Sequence, residues 1–523
     1  MQTPGAEHPN GNAGLLSTHV ARSAALVAAL FALDKVLGLV RDAVIGRAFG
    51  ASATLDAYYA AFELPDALFN IVAGLAMATV LIPVLSAYTE RGDSAEAWRL
   101  ASTVVNWALM VVTGISIIAG IFAADVIRAV APGFEPERAA LATQLMRLVL
   151  LQTILSSVSG IVMSILQAHR HFLLPAAAPL AYTLGRILGA LLLAPHIGIF
   201  GLAWGGLLGT MGHFLIQVPG LVRYGARWSP TLRHPELAAL LKLMGPRVLG
   251  LGVTYLNFVL PTYLGSRLTA GAIASYEYGW RLMQFPETII GTALGLTVFP
   301  TLAQRANAGD REGLRSTAGW ALRLVLELAI PAAVGLIVLG RPLTTLFLQR
   351  GAFDAAATER VYRGLQAFAF GLIAHSALEV SSRLFYAQRD MWTPFWAALA
   401  GLVANALVGR LLLVPMAHAG LALANSFGAA LQVAILLVVA QRRLCGVVGR
   451  SMGSSLARTV AVSGAMGLSI LAFQRLVPQT SVLLEGAGGL LVGGVAFVVA
   501  VSLVGSRELR QLPRQLLDRR PLT

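Results

Sequence analysis

Four charged residues interrupt an apolar stretch long enough to cross a membrane. Residues 30–47 read LFALDKVLGLVRDAVIGR and hold Asp34, Lys35, Arg41 and Asp42. At 100° per residue these side chains, with Gly38 among them, fall in one stripe of about 120°. A charge at bilayer depth costs about 2.5–3.5 kcal/mol on insertion scales. A helix turning that stripe to lipid would not insert stably. The stripe is therefore expected to face a bundle interior or a watery cavity, with Asp34–Lys35 and Arg41–Asp42 near enough to offset each other.

The rest of the chain has the same character. Of 523 residues, 57% are hydrophobic and 12% charged, and the mean hydropathy is +0.73. Soluble domains carry roughly 25% charged residues, so an all-α polytopic membrane protein is expected. Fourteen segments have spanning length: 21–47, 56–88, 98–124, 139–167, 173–194, 198–221, 237–265, 272–303, 316–340, 360–387, 393–414, 419–440, 453–474 and 482–505. Residues 1–20 are polar, lack a signal-peptide pattern and read as a disordered cytoplasmic tail. With that end inside, Arg91, Arg99, Arg170, Arg223, Arg305, Arg311, Arg389 and Arg443 all fall in cytoplasmic loops, and the loops at 195–197 and 415–419 carry no Lys or Arg. This is the positive-inside pattern, with both termini cytoplasmic. The exception, 341–363, has four arginines outside and reads as an interfacial helix. The net charge of +14 is spread through such loops, which argues against a nucleic-acid partner. The tail 506–523 is a basic amphipathic stretch suited to anionic lipid.

The chain repeats itself. QAHRHFLLP ends at Pro175 and AQRDMWTP at Pro394, an offset of 219. Gly201-Leu202-Ala203 recurs as Gly420-Leu421-Ala422, and Gly133-Phe134 aligns with Ala352-Phe353. Pro65 and Pro83 match Pro286 and Pro300, and Gly92-Asp93 matches Gly309-Asp310. The period spans six segments, so both copies insert the same way. The expected organisation is an N-lobe over 21–222, a C-lobe over 237–441, and two extra helices over 450–505.

Polar stripes recur inside the repeat. Asp56, Glu63 and Asn70 lie seven apart on the second segment, with Gly74 on the same line. For Asp56 two readings stay open: a cavity acid, or an acid favoured by the dipole of its own helix. On the eighth segment Glu277, Arg281 and Gln284 share a face, and Glu277 and Arg281 are spaced for an ion pair. The GxxxG spacings Gly185/Gly189, Gly201/Gly205 and Gly291/Gly295 suit close helix packing. The i,i+4 pair Glu379/Arg383 reads as structural. The sequence has no P-loop, no HExxH and a single cysteine, Cys445, so no cofactor or metal is expected.

At this point the residues resemble a known family. VLGLVRD, FGA and DAYYAAFELP, all within 34–88, resemble the first two helices of the MurJ (MviN) family, within the multidrug/oligosaccharidyl-lipid/polysaccharide exporter superfamily. YGWRLMQFPETIIGTALGLTVFPTLAQ (278–304) looks like its eighth helix, and RGAFD (350–354) and FYAQRDMWTP (385–394) match further signatures. The resemblance covers about 20–505 and implies flipping of lipid II, an undecaprenyl-pyrophosphate-linked peptidoglycan precursor, across the bacterial cytoplasmic membrane by alternating access. It implies that Lys35, Arg41 and Arg281 bind the pyrophosphate and that Asp42 and Asp56 match family acids; the polar stripes add Glu63 and Glu277 as cavity acids and Asn70 and Gln284 as further polar lining. The chain departs from the family in having Phe69-Asn70 for Arg-Arg, and Gly74 and Gln284 for acids. More of the binding is then expected to rest on Lys35 and Arg41.

The expected protein is a non-enzymatic, monomeric lipid II flippase that meets membrane lipids and cell-wall synthesis proteins. The alternatives are a flippase for another polyprenyl-linked glycan and a cation-coupled multidrug exporter. The second draws on three cations facing five acids: Lys35, Arg41 and Arg281 against Asp34, Asp42, Asp56, Glu63 and Glu277.

Overall fold

The computed structural model describes residues 11–72, 75–444, 446, 449–476 and 482–504. The expected stripe member Gly74 and the basic tail 506–523 lie outside them. Among the described residues the regular structure is helix, with no strand. The first half contains α1 (Gly11–Phe49), α2 (Ala53–Val72), α3 (Leu75–Glu90), α4 (Ser94–Ile121), α5 (Ala123–Val130), α6 (Pro136–Ala168), α7 (Leu173–Leu188), α8 (Ala194–Ile197) and α9 (Ile199–Arg223). The second half contains α10 (Leu237–Gly265), α11 (Ala272–Glu287), α12 (Ala293–Asn307), α13 (Arg311–Leu348), α14 (Ala355–Ala387), α15 (Trp392–Leu444), α16 (Arg450–Leu476) and α17 (Gly489–Val504). Single π-helical turns occupy Gly189–Leu193, Thr288–Thr292 and Leu484–Gly488.

Among the described residues nine helices are long and apolar enough to cross a membrane. One of these, α15, is two helices joined at Ala417, whose φ of 50° and ψ of −131° are not helical. The fourteen expected segments are consistent with this layout, each falling on helix. Two expectations fail. Residues 11–20 are the first turns of α1, because Ala-Gly-Leu-Leu and the Ala-rich run after it favour helix over a disordered tail. Residues 341–363 hold no separate interfacial helix. Instead α13 continues through Pro342 to Leu348, and only 349–354 separate it from α14. The amphipathic helix that the sequence reading missed is α5, with Asp125 and Arg128.

The backbone carries the repeat more faithfully than the side chains do. Left-handed φ occurs at Gly50 and Gly271, Gly92 and Gly309, Arg170 and Arg389, and Gly198 and Ala417. The members of these pairs are separated by 221, 217, 219 and 219 residues. Gly92 and Gly309 each end a helix, and the next residue caps the following one. Asp93 accepts from the Glu96 N–H at 3.2 Å, and Asp310 from the Gly313 N–H at 2.8 Å.

The chain divides into two compact units. The first comprises the described residues of 1–48, 61–126 and 140–251, and the second comprises 49–60, 127–139 and those of 252–523. In the first, Leu81, Leu85, Trp98, Val104, Ile161 and Ile165 form a buried cluster. There α7 and α9 meet through glycines: a Cβ on Gly185 would lie 2.3 Å from the Gly209 Cα, and one on Gly189 2.5 Å from the Gly201 carbonyl oxygen. Lipid gives no hydrophobic drive for helices to associate, so close approach at small residues supplies the packing. In the second unit, α14 is central: Phe368, Leu372, Leu384 and Phe385 are buried against α11, α13 and α15. Helices α16 and α17 pack on α13 through Leu324, Leu339, Val462, Met466, Ile470 and Val501.

Candidate functional site

In the first unit the α1 stripe is organised as charge chemistry demands. The Arg41 guanidinium reaches Asp42 Oδ1 with Nη2 at 2.9 Å and Nε at 3.0 Å. Asp42 is buried, so its charge requires such a partner. Asp34 is held differently from expectation: the Thr183 hydroxyl of α7 donates to its Oδ1 at 3.0 Å. Lys35 is exposed. A Cβ on Gly38 would meet nothing within 4 Å, so open space lies beside the middle of the stripe. On α2, Glu63 is half-buried, and Asn70 turns back to donate to the Asp66 carbonyl at 2.8 Å.

Arg186 of α7 was missed by the sequence reading. It is only 7% exposed, and its guanidinium lies 5.7 Å from the centroids of the Phe62 and Tyr182 rings. The Tyr182 hydroxyl also accepts from Gln152 at 3.2 Å. The available signal was a lone arginine in the apolar segment 173–194, which bilayer cost alone marks as purposeful.

In the second unit Arg281 of α11 pairs with Glu277 at 3.6 Å, as the i,i+4 spacing predicts. The same guanidinium stacks over Tyr59 at 4.9 Å. Gln284 is exposed. Asp56 is 1% exposed and accepts from the Gly271 N–H at 2.7 Å and the Ala274 N–H at 2.8 Å. It therefore caps α11, a helix that begins more than 200 residues further along the chain, and Arg138 stands 4.0 Å away. Around this cap the backbones nearly touch. A Cβ on Gly271 would fall 2.0 Å from the Ala51 carbonyl oxygen, and one on Gly50 would fall 2.5 Å from that of Ala352. The Gly133 N–H donates to Ser266 Oγ at 3.0 Å, and Arg360 donates to the Ala51 carbonyl at 3.2 Å.

Comparison with known proteins follows the same lines. The family model for the lipid II flippase MurJ matches residues 45–491. This chain belongs to the MurJ family. The lipid II flippase MurJ of Burkholderia cenocepacia is 32% identical over 424 residues, covering 79% of this chain and 82% of that one. A probable lipid II flippase MurJ of Buchnera aphidicola is 30% identical, covering 75% and 78%. A solved structure of the lipid II flippase MurJ in an inward closed conformation matches with a TM-score of 0.78 at 23% identity, over 91% of this chain and 98% of that one. An inward-facing multidrug transporter of the MATE family matches at 0.67 with 14% identity, over 79% and 95%. These two likenesses show that the fold is the MurJ and MATE transporter fold.

Proposed function

We propose that this protein flips lipid II across the bacterial cytoplasmic membrane. The observation that carries the reading is the MurJ family match over 45–491, which includes α2 with Asp56 and Glu63, and α11 with Glu277 and Arg281. Lys35, Arg41 and Arg281 bind the pyrophosphate. Guanidinium groups suit it because their fork of donors matches phosphate oxygens. Asp42 and Glu277 hold the two arginines in position and release them by exchange during the transport cycle. Glu63, Asn70 and Gln284 are polar lining, and Arg186 joins the cationic set.

The acidic surplus that favoured a cation exporter is offset on two counts. Adding Arg186 and Arg138 to Lys35, Arg41 and Arg281 gives five cations against five acids. Asp56, moreover, already serves two peptide N–H groups. That supports an anionic substrate.

Under the positive-inside topology, with both termini cytoplasmic, residues 49–56, 131–135, 266–271 and 349–354 all lie outside. The Asp56 cap and the glycine contacts beside it then brace the outer end of the second unit. No nucleotide drives the cycle, so its energy comes from ion, potential or substrate gradients. The protein works as a monomer alongside cell-wall synthesis proteins.

Depleting the protein and measuring lipid-linked intermediates tests this. Lipid II is expected to accumulate on the inner face. Build-up of a different polyprenyl-linked glycan instead, or no build-up, overturns the assignment.

A further inference from the structure

At one end of the second unit, the turn 307–310 between α12 and α13 faces the turn 388–391 between α14 and α15. Between them lies a cavity of about 680 Å³ ringed by Arg305, Arg311, Arg389 and Arg443. Leu314 and Ala387 of the buried cluster also line it. We propose that this pocket binds a phosphate group, carried either by an anionic membrane lipid or by a soluble phosphate compound.

The charge balance is one-sided. Four arginines face one lining carboxylate, Asp310, whose Oδ1 is engaged by the Gly313 N–H at 2.8 Å. Two of the arginines are braced. Arg443 donates to Asp390 at 2.5 Å and to Thr393 Oγ1 at 3.3 Å, and it lies over the Phe385 ring; Arg305 reaches Ser316 Oγ at 3.4 Å. The other two, Arg311 and Arg389, are exposed and make no side-chain hydrogen bond or ion pair among the described residues. Braced and unbraced guanidinium groups around one concavity make a receptor for a compact, multiply charged anion.

The first half shows what this corner looks like when it is not a receptor. Arg389 corresponds to Arg170, which pairs with Glu90 at 3.1 Å. The position matching Glu90, at the offset of 217, is Asn307, so Arg389 has lost its carboxylate. Arg305, Arg311 and Arg443 correspond to Tyr88, Ser94 and Tyr224. There, Tyr224 fills the corner by packing on His169, which stacks on Trp98. The second copy has replaced two rings and a serine with guanidinium groups and removed the acid that pairs with Arg170; the one acid it gains, Asp390 in place of His171, is engaged by Arg443. On the positive-inside topology this corner faces the cytoplasm at the membrane surface, where basic pockets meet phosphate headgroups.

The test uses the full chain in phosphatidylcholine nanodiscs with two probes: phosphatidylglycerol doped into the disc, followed by native mass spectrometry, and inorganic pyrophosphate in solution, followed by calorimetry. Asn307→Glu restores the first-half pairing without removing an arginine and is expected to weaken phosphate binding about tenfold. The double variant Arg311→Gln/Arg389→Gln is expected to weaken it about a hundredfold. Both should melt with the wild type. A loss confined to phosphatidylglycerol identifies a lipid headgroup as the source; a loss of pyrophosphate binding as well identifies free phosphate. Unchanged affinity for both probes in both variants overturns the proposal.

Discussion

Asp56 and Glu277 occupy matching positions in the two halves, 221 residues apart, and do opposite things. Asp56 is sealed in the second unit with both oxygens committed to the first turn of α11. Glu277 sits within α11, half-exposed, at 3.6 Å from a guanidinium it can leave. The first is part of the frame, and the second is the one proposed to belong to the working charge. The inner corners make the same point, with an aromatic stack in one half and an arginine ring in the other. Duplication has kept the backbone and freed the side chains to specialise.

That contrast can be broken most forcefully at the cations. Arg41→Ala is expected to reduce lipid II translocation about a hundredfold, with Arg281→Ala about tenfold, because each removes charge-assisted hydrogen bonds to phosphate. Arg281→Ala should melt close to the wild type, and Arg41→Ala somewhat lower, because it removes a partner of the buried Asp42. A translocation assay in vesicles checks this, and undiminished transport in Arg41→Ala would end the assignment of α1. Asp56→Ala should act the other way, on the frame. It leaves two helix-terminal N–H groups without their acceptor and is expected to cost about 2 kcal/mol of stability, read as a lower melting temperature in detergent. If Asp56→Ala melted normally, the division between frame and site would be wrong. Glu277→Gln is expected to change stability by at most about 0.5 kcal/mol, since a partly exposed i,i+4 pair contributes little; its effect should appear in transport alone.

A pH-dependent effect lies at the corner. Partial burial works to raise the Asp390 carboxyl, but hydrogen bonds from the Thr393 hydroxyl and N–H and from Arg443 outweigh it and hold the pKa at about 2. The folded value is below the ordinary 3.8, so the stabilisation is fully present above about pH 4 and is lost as pH falls toward 2. The melting difference between wild type and Asp390→Asn should shrink over that window. Its counterpart position holds His171, and no carboxylate titrates there.

Local rules made much of this legible in the chain. The Gly-Asp pairs at 92–93 and 309–310 cap helices as they should, the glycines at 185/189 and 201/205 meet backbone to backbone whereas Gly295 faces the Arg383 side chain, and Arg41–Asp42 and Arg281–Glu277 pair as their spacing requires. What stayed hidden depends on long-range contact. The choice between own-helix dipole and cavity for Asp56 omitted the N-terminus of α11, because nothing local to Asp56 points to Gly271. Arg186 went unweighed because its neighbours Phe62 and Tyr182 are apolar in sequence and acquire meaning only as rings around a cation. The run from 341 to 363 looked like a surface helix because its arginines were read as loop charges. In the fold, Arg341 and Arg363 both approach Glu359, and α13 continues through Pro342.

One backbone feature has a practical use. Gly198 and Ala417 turn the chain at matching points with nearly the same angles, φ 61° and ψ −142° against φ 50° and ψ −131°. Only glycine adopts that region without penalty, and other residues there pay about 1–3 kcal/mol. The second half thus carries a methyl group that works against its own turn. Exchanging it for hydrogen, as Ala417→Gly, offers a sturdier protein for purification without changing a charged residue.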